Sequence, residues 1–161
     1  MILDSIKNRI GDYDGDIGIS YVDLISNRSI TAGNCDVFPA SGSVKFLTLI
    51  EAFKLMEEGT ISRNDKYVLR KSDYINGGKS GVKTFGAVEY MHEGIELTIE
   101  DLYRLSISVS DNIAFNILLR LFGKDEINRA FEMLGYKKTI INRAIYDKTA
   151  ISNGVENYVS V

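Results

Sequence analysis

The apolar residues fall into successive patterns along the chain, and each pattern predicts an element. Leu3, Ile6 and Ile10 recur at helical spacing before Gly11, so a short opening helix with one apolar face is expected. Ile17, Ile19, Tyr21 and then Leu24 approach the two-residue alternation of a strand. Ser26-Asn27-Arg28 has turn chemistry, and Ser29 to Ala32 can return antiparallel, which together predict a hairpin. After Phe38-Pro39-Ala40 the period lengthens. Phe46, Leu49, Ile50 and Phe53 stand at i, i+3, i+4 and i+7, Met56 continues the stripe, and Gly59 closes it after Glu58. This predicts a buried central helix.

Thr60 to Gly94 reads as loop-rich, with short strands expected at Tyr67 to Leu69 and Ala87 to Tyr90, and a glycine cluster at Gly77, Gly78 and Gly81. Thr98 with Asp101 forms the pattern of a capping box opening a helix to about Ile107. Ser110 is placed to cap a second helix that ends before Gly123. A third helix, Asp125 to Leu134, stops at Gly135. Such short connections imply a packed helical layer. Past Tyr136 the periodicity is lost, and an irregular loop to Val161 is expected.

Composition narrows the function. A length of 161 residues with 45% hydrophobic and 25% charged residues is that of one globular domain. The net charge of −3 gives no basic footprint, so neither nucleic acid nor an anionic membrane surface is an expected partner. Small molecules or neutral polymers fit better. A lone cysteine, Cys35, excludes an internal disulfide, and with the lone histidine His92 it cannot build a zinc cluster. No metal or other cofactor is implied. The start Met1-Ile2-Leu3-Asp4 lacks the features of a secretion leader, no apolar run reaches membrane-spanning length, and a soluble chain is expected.

Two short motifs carry the chemistry. The first is Phe38-Pro39-Ala40-Ser41-Gly42-Ser43-Val44-Lys45, at the start of the central helix; the second is Ser110-Asp111-Asn112, before an apolar helix. Singly each is bland, because a lysine near a helix start is usually solvated and Ser-Asp is a common cap. Together, in this order, with Leu97-Thr98-Ile99-Glu100-Asp101-Leu102 leading into the second, they resemble the class A β-lactamases and the wider penicillin-recognising serine hydrolases. That family combines Ser-x-x-Lys on a buried helix, Ser-Asp-Asn on a loop between helices, and a later Lys-Thr-Gly strand. A lysine three residues after a serine shares its helix face, so its amine can accept the hydroxyl proton.

The resemblance implies an α/β, β-lactamase/transpeptidase-like fold, with a helical layer around the buried central helix and an antiparallel sheet of which only the N-terminal hairpin is present. Residues 1–161 would form a single domain, the N-terminal portion of that fold, and a complementary C-terminal segment of the same protein is an expected partner. By the same resemblance Lys45 is the base of acylation, Ser110 relays a proton to the leaving nitrogen, and Asn112 binds the amide side chain of the substrate. Asp111 is expected to brace its loop through backbone hydrogen bonds. The ligand is expected to be a β-lactam or a peptidoglycan stem peptide, and the location extracytoplasmic.

The departures matter as much. Position 42, where the family places its nucleophilic serine, is glycine, so no attacking oxygen exists there; its backbone N–H can still serve an oxyanion. Glycine early in a helix costs up to about 1 kcal/mol relative to alanine, so helix propensity does not account for it. Ser41 is rotated by about 100° from position 42, and Ser43 should point away from Lys45. Lys79-Ser80-Gly81 precedes the second motif in a glycine-rich loop and is read as a decoy, while Lys148-Thr149-Ala150 lacks the glycine. In Asn142-Arg143-Ala144-Ile145 the arginine fits the family's loop, but Ile145 occupies the place of the glutamate that activates water. Asp147 and Glu156, the remaining acids nearby, have the wrong spacing. The chain is therefore expected to be a hydrolase by family, inactive as it stands and forming no covalent adduct with a penicillin. The alternative is a non-hydrolytic penicillin-binding module or a D,D-peptidase-like protein that recognises cell-wall peptides.

Overall fold

In the computed structural model, which describes residues 2–11, 13–75 and 84–161, the opening helix α1 (Ile2–Ile10) lies against a hairpin of β1 (Gly18–Asp23) and β2 (Arg28–Gly33). Gly18 stands opposite Gly33 and Asp23 opposite Arg28. The Asp23 carboxylate accepts the N–H groups of Ile25 and Ser26 and so closes the turn, leaving Leu24 in the turn rather than in the strand. Two further antiparallel pairs accompany the hairpin. β3 (Val37–Pro39) pairs with β6 (Tyr158–Ser160), Phe38 opposite Val159, and β4 (Lys66–Val68) pairs with β5 (Glu96–Thr98), Tyr67 opposite Leu97. β4 falls on the short strand expected at Tyr67 to Leu69, shifted by one residue, while β3, β5 and β6 add to the antiparallel pairing beyond the N-terminal hairpin. Strands of three residues carry little alternation, so most of them leave no pattern in a sequence window.

A 3₁₀ turn, Ser41–Val44, leads into α2 (Lys45–Glu57), and α3 (Ile99–Ser108), α4 (Asn112–Phe122) and α5 (Lys124–Met133) pack around it. Only part of the stripe expected to face the core of α2 does so: Ile50 and Met56 pack against it half-buried. Phe46 and Phe53 are more than half exposed, and the buried face is Val44, Leu47, Thr48, Glu51 and Ala52, with Lys45 on it. The helix is apolar on two sides, and the side turned inward is the one that carries Lys45 to α4. The most buried helix is α4, where Ala114, Phe115, Ile117 and Leu118 have no exposure and Ile113 has 1%.

α3 opens as expected. The Thr98 hydroxyl accepts the Asp101 N–H at 3.0 Å, and the Asp101 carboxylate accepts the Thr98 N–H at 2.9 Å. The Thr98 hydroxyl, followed by its N–H, holds the Asp101 carboxyl below its ordinary pKa. Thr98→Ala should lower unfolding stability by about 1 kcal/mol in urea denaturation, and an unchanged midpoint would contradict the capping role.

Three further expectations are corrected. Ala87 to Tyr90 forms no strand; Val88–Tyr90 is a 3₁₀ turn, bent because the Val88 N–H bonds to the Asp111 carboxylate. Ser110 does not cap α4. Asp111 does, accepting the N–H groups of Ile113 and Ala114, while Ser110 adopts φ +55° just before it. The stretch after Tyr136 is ordered by α6 (Lys148–Ser152), capped by Asp147, and by β6, so Lys148-Thr149-Ala150 opens a helix rather than a strand. Gly77, Gly78, Gly81 and the Lys79-Ser80-Gly81 triad lie outside the described residues. No helix among the described residues is long and apolar enough to cross a membrane.

Candidate active site

β3 and the 3₁₀ turn deliver Gly42 and Lys45, and the reversal between α3 and α4 delivers Ser110, Asp111 and Asn112. These two stretches meet at Lys45. Its side chain is buried, and its Nζ stands 2.6 Å from the Ser110 carbonyl oxygen, 2.7 Å from Ser110 Oγ and 2.7 Å from Asn112 Oδ1. Burial pushes the Lys45 amine below the ordinary lysine range, and the negative charge of Asp111 partly offsets this. Four of the five residues singled out in the sequence therefore come together in direct contact or through adjacent backbone. The fifth, Gly42, faces the same space: among the described residues beyond its chain neighbours, a Cβ built on it would have Ser110 Oγ alone within 4 Å, at 3.8 Å.

Asp111 has no exposed surface, and its carboxylate is committed to the backbone. One oxygen accepts the Ile113 and Ala114 N–H groups at 2.9 Å each, and the other accepts the Val88 N–H at 2.8 Å. It braces the turn and offers nothing to a ligand. Gly86 packs on it with φ +130°, and a Cβ there would fall 2.1 Å from Asp111 Oδ2. Asn112 is held from its other side by Thr84, whose hydroxyl accepts from Asn112 Nδ2 at 3.0 Å. The carboxamide thus turns its nitrogen to Thr84 and its oxygen to Lys45.

A cavity of about 560 Å³ opens over these groups, lined also by Phe85 and by Arg143, Ile145, Tyr146, Glu156 and Asn157 from the facing loop. The loop is tied at its neck. Arg143 pairs with Glu156 at 2.7 Å, and Asn157 Oδ1 accepts the N–H groups of Asn142 and Arg143. Asn116 grips Ile145 by both backbone groups, donating to its carbonyl and accepting its N–H at 2.9 Å each. Ile145 therefore presents hydrocarbon to the cavity from a fixed backbone. Glu156 is tied into the loop through one carboxylate oxygen, where the Asn157 N–H and Arg143 hold its carboxyl below the ordinary range. Asp147 is engaged in capping α6.

Sequence reasoning missed Thr84, Asn116 and Asn157. Asn116 left a signal, a carboxamide inside the otherwise apolar run Ile113 to Leu119; Thr84 and Asn157 left none.

The helical layer around α2, with its antiparallel strand pairs, is the β-lactamase/transpeptidase-like class of α/β fold. Within that class the chain belongs to the β-lactamase enzyme family, whose model matches residues 2–161. It is similar to β-lactamase VEB-1 of Pseudomonas aeruginosa, 26% identical over 118 residues that make up 73% of this chain and 38% of that protein. It also resembles β-lactamase BRO-1 of Moraxella catarrhalis, 23% identical over 145 residues, or 86% of this chain and 44% of that one. Among solved structures, the fold superposes on PBP-A with a TM-score of 0.80 at 24% identity, covering 99% of this chain and 56% of PBP-A. A β-lactamase of Francisella tularensis matches with a TM-score of 0.72 at 27% identity over 90% of this chain and 52% of that one. The chain thus spans about two fifths of the length of these curated relatives and just over half of these solved ones.

Proposed function

We propose that this chain carries a β-lactamase-like recognition site for a β-lactam or a peptidoglycan stem peptide, and that it does not hydrolyse the lactam through residue 42. One observation carries the reading: Lys45 Nζ bonds Ser110 and Asn112 in a cavity whose nucleophile position is Gly42 and whose opposite wall is Ile145. Lys45 and Ser110 supply the proton-transfer pair and Asn112 the carboxamide that meets the ligand's amide. Gly42 removes the attacking oxygen at its own position, and Ile145 removes the carboxylate that would activate a deacylating water. A point mutant of PBP-A forms an acyl-enzyme complex with penicillin G, which supports a lactam as the ligand class. A location outside the cytoplasm goes with this reading.

The test is to restore the hydroxyl. Among the described residues beyond its chain neighbours, a Cβ at residue 42 meets only Ser110 Oγ, at an ordinary van der Waals distance of 3.8 Å, so Gly42→Ser places its Cβ without a clash. With penicillin G, Gly42→Ser should gain an adduct mapped to residue 42, which the parent cannot form at that position. Ile145 favours a persistent adduct, the behaviour of a penicillin-binding or D,D-peptidase-like protein. A transient adduct would instead indicate a lactamase. No adduct on residue 42 of a folded Gly42→Ser chain would sink the serine-hydrolase reading.

A further inference from the structure

We infer that Ser110 is itself a nucleophile in this chain, forming with Lys45 a serine–lysine pair that takes the acyl group of a β-lactam. The inference rests on the lactam-recognition reading above and narrows the expectation of no adduct at all: Gly42 excludes acylation at its own position and leaves Ser110 untouched.

The hydrogen-bond pattern around Lys45 Nζ is the first support. Of its three partners among the described residues, the Ser110 carbonyl and Asn112 Oδ1 accept, the Asn112 Nδ2 being turned to the Thr84 hydroxyl. The third, Ser110 Oγ at 2.7 Å, can donate. As an ammonium, Lys45 donates to all three; as a neutral amine it keeps the two bonds to the carbonyl and carboxamide oxygens and can turn its lone pair to the Ser110 hydroxyl proton. Burial of Lys45 favours that neutral form. Asp111, the charged group that opposes it, is already bonded to three backbone N–H groups.

Access is the second support. Ser110 is exposed, and it is held at φ +55°, outside the regular helix, so its hydroxyl stands clear of the α4 ladder. The space beside Ser110 Oγ is the space a side chain at residue 42 would fill, and Gly42 leaves it open to an incoming carbonyl. The other two hydroxyls nearby are not placed for the task. Ser43 Oγ donates to the Ala40 carbonyl, and among the described residues no hydrogen bond joins Ser41 to Lys45.

The step balances without a co-reactant. Ser110 Oγ bonds to the lactam carbonyl carbon, its proton passes to Lys45 Nζ, the lactam C–N bond breaks, and Lys45 returns the proton to the departing nitrogen. The whole lactam is retained as an ester on Ser110. Ile145 offers no base for water, and Glu156 is held by Arg143 and the Asn157 N–H, so the ester should persist.

The experiment incubates the chain with penicillin G and reads intact mass and a peptide map, alongside ligand-observed NMR for reversible binding. The expected result is a mass gain of one intact penicillin on Ser110. Ser110→Gly keeps the left-handed backbone and should abolish the gain while penicillin still binds by NMR. Gly42→Leu fills the approach and should slow the gain by about tenfold or more. Penicillin binding without any adduct on Ser110 would overturn the nucleophile assignment and leave the recognition reading standing. Absence of both binding and adduct would overturn both. An equal mass gain in Ser110→Gly, its fold verified by circular dichroism, would also overturn the assignment.

Discussion

Asp111→Ala is expected to lower the free energy of unfolding by about 3 kcal/mol or more, the larger of two effects that converge on one carboxylate. Three backbone N–H groups lose their acceptor at once: Val88, Ile113 and Ala114. Two belong to the first turn of α4, where helix geometry provides no internal partner, and loss of such a cap alone costs about 1 kcal/mol. The third pins the 3₁₀ turn at Val88, which is itself fully buried, so water cannot readily take over. Asp111→Asn should fall between parent and alanine. Its oxygen can still cap α4, but its NH₂ then confronts the Val88 N–H, and two donors cannot satisfy each other. Urea denaturation decides the matter, and a loss under about 1 kcal/mol for Asp111→Ala would show that the carboxylate does not hold the turn.

Gly86→Ala should cost about 2–5 kcal/mol, combining a backbone conformation unfavourable to side chains with a steric overlap. With φ at +130° the residue sits where a side chain is rarely tolerated, and the added Cβ would lie 2.1 Å from Asp111 Oδ2 and 2.6 Å from Asp111 Cα. The second contact is with backbone and cannot be relieved by a rotamer change. The reversal carrying Ser110 and Asn112 would have to move, so reversible penicillin binding should weaken together with stability. In Gly86→Ala/Asp111→Ala the carboxylate is gone, and the combined loss should be smaller than the sum of the two single losses. Strict additivity would mean that the two residues do not press on each other.

Local signals are legible where the chemistry is local. The Thr98–Asp101 capping box and the end of α4 at Gly123 stand as the residue pattern predicts, and so does the hairpin with its turn drawn back to Leu24 to Asn27, because caps and turns depend on neighbours within four residues. Patterns that depend on what packs against them are less legible. Periodicity selects Phe46 and Phe53 for the buried face of α2, yet the helix turns Lys45, Thr48 and Glu51 inward, since Lys45 must reach Ser110 and Asn112 across 65 and 67 residues. The choice of Ser110 as cap fails for a related reason. Ser and Asp are both good caps, and which of the two adjacent residues takes the role depends on Val88, whose N–H needs the second carboxylate oxygen.

The sequence by itself determined the family motifs, the glycine at position 42 and the isoleucine at position 145. These are matters of residue identity, and no folding can add an oxygen or a carboxylate that the chain does not encode. The tertiary structure alone decided what those identities leave behind. It buried the Lys45 amine among two acceptors and one hydroxyl, turned the Asn112 carboxamide nitrogen to Thr84, and held Ile145 to the cavity through Asn116. Each of these contacts joins residues at least 28 positions apart, and such distances are closed only by packing the helices together.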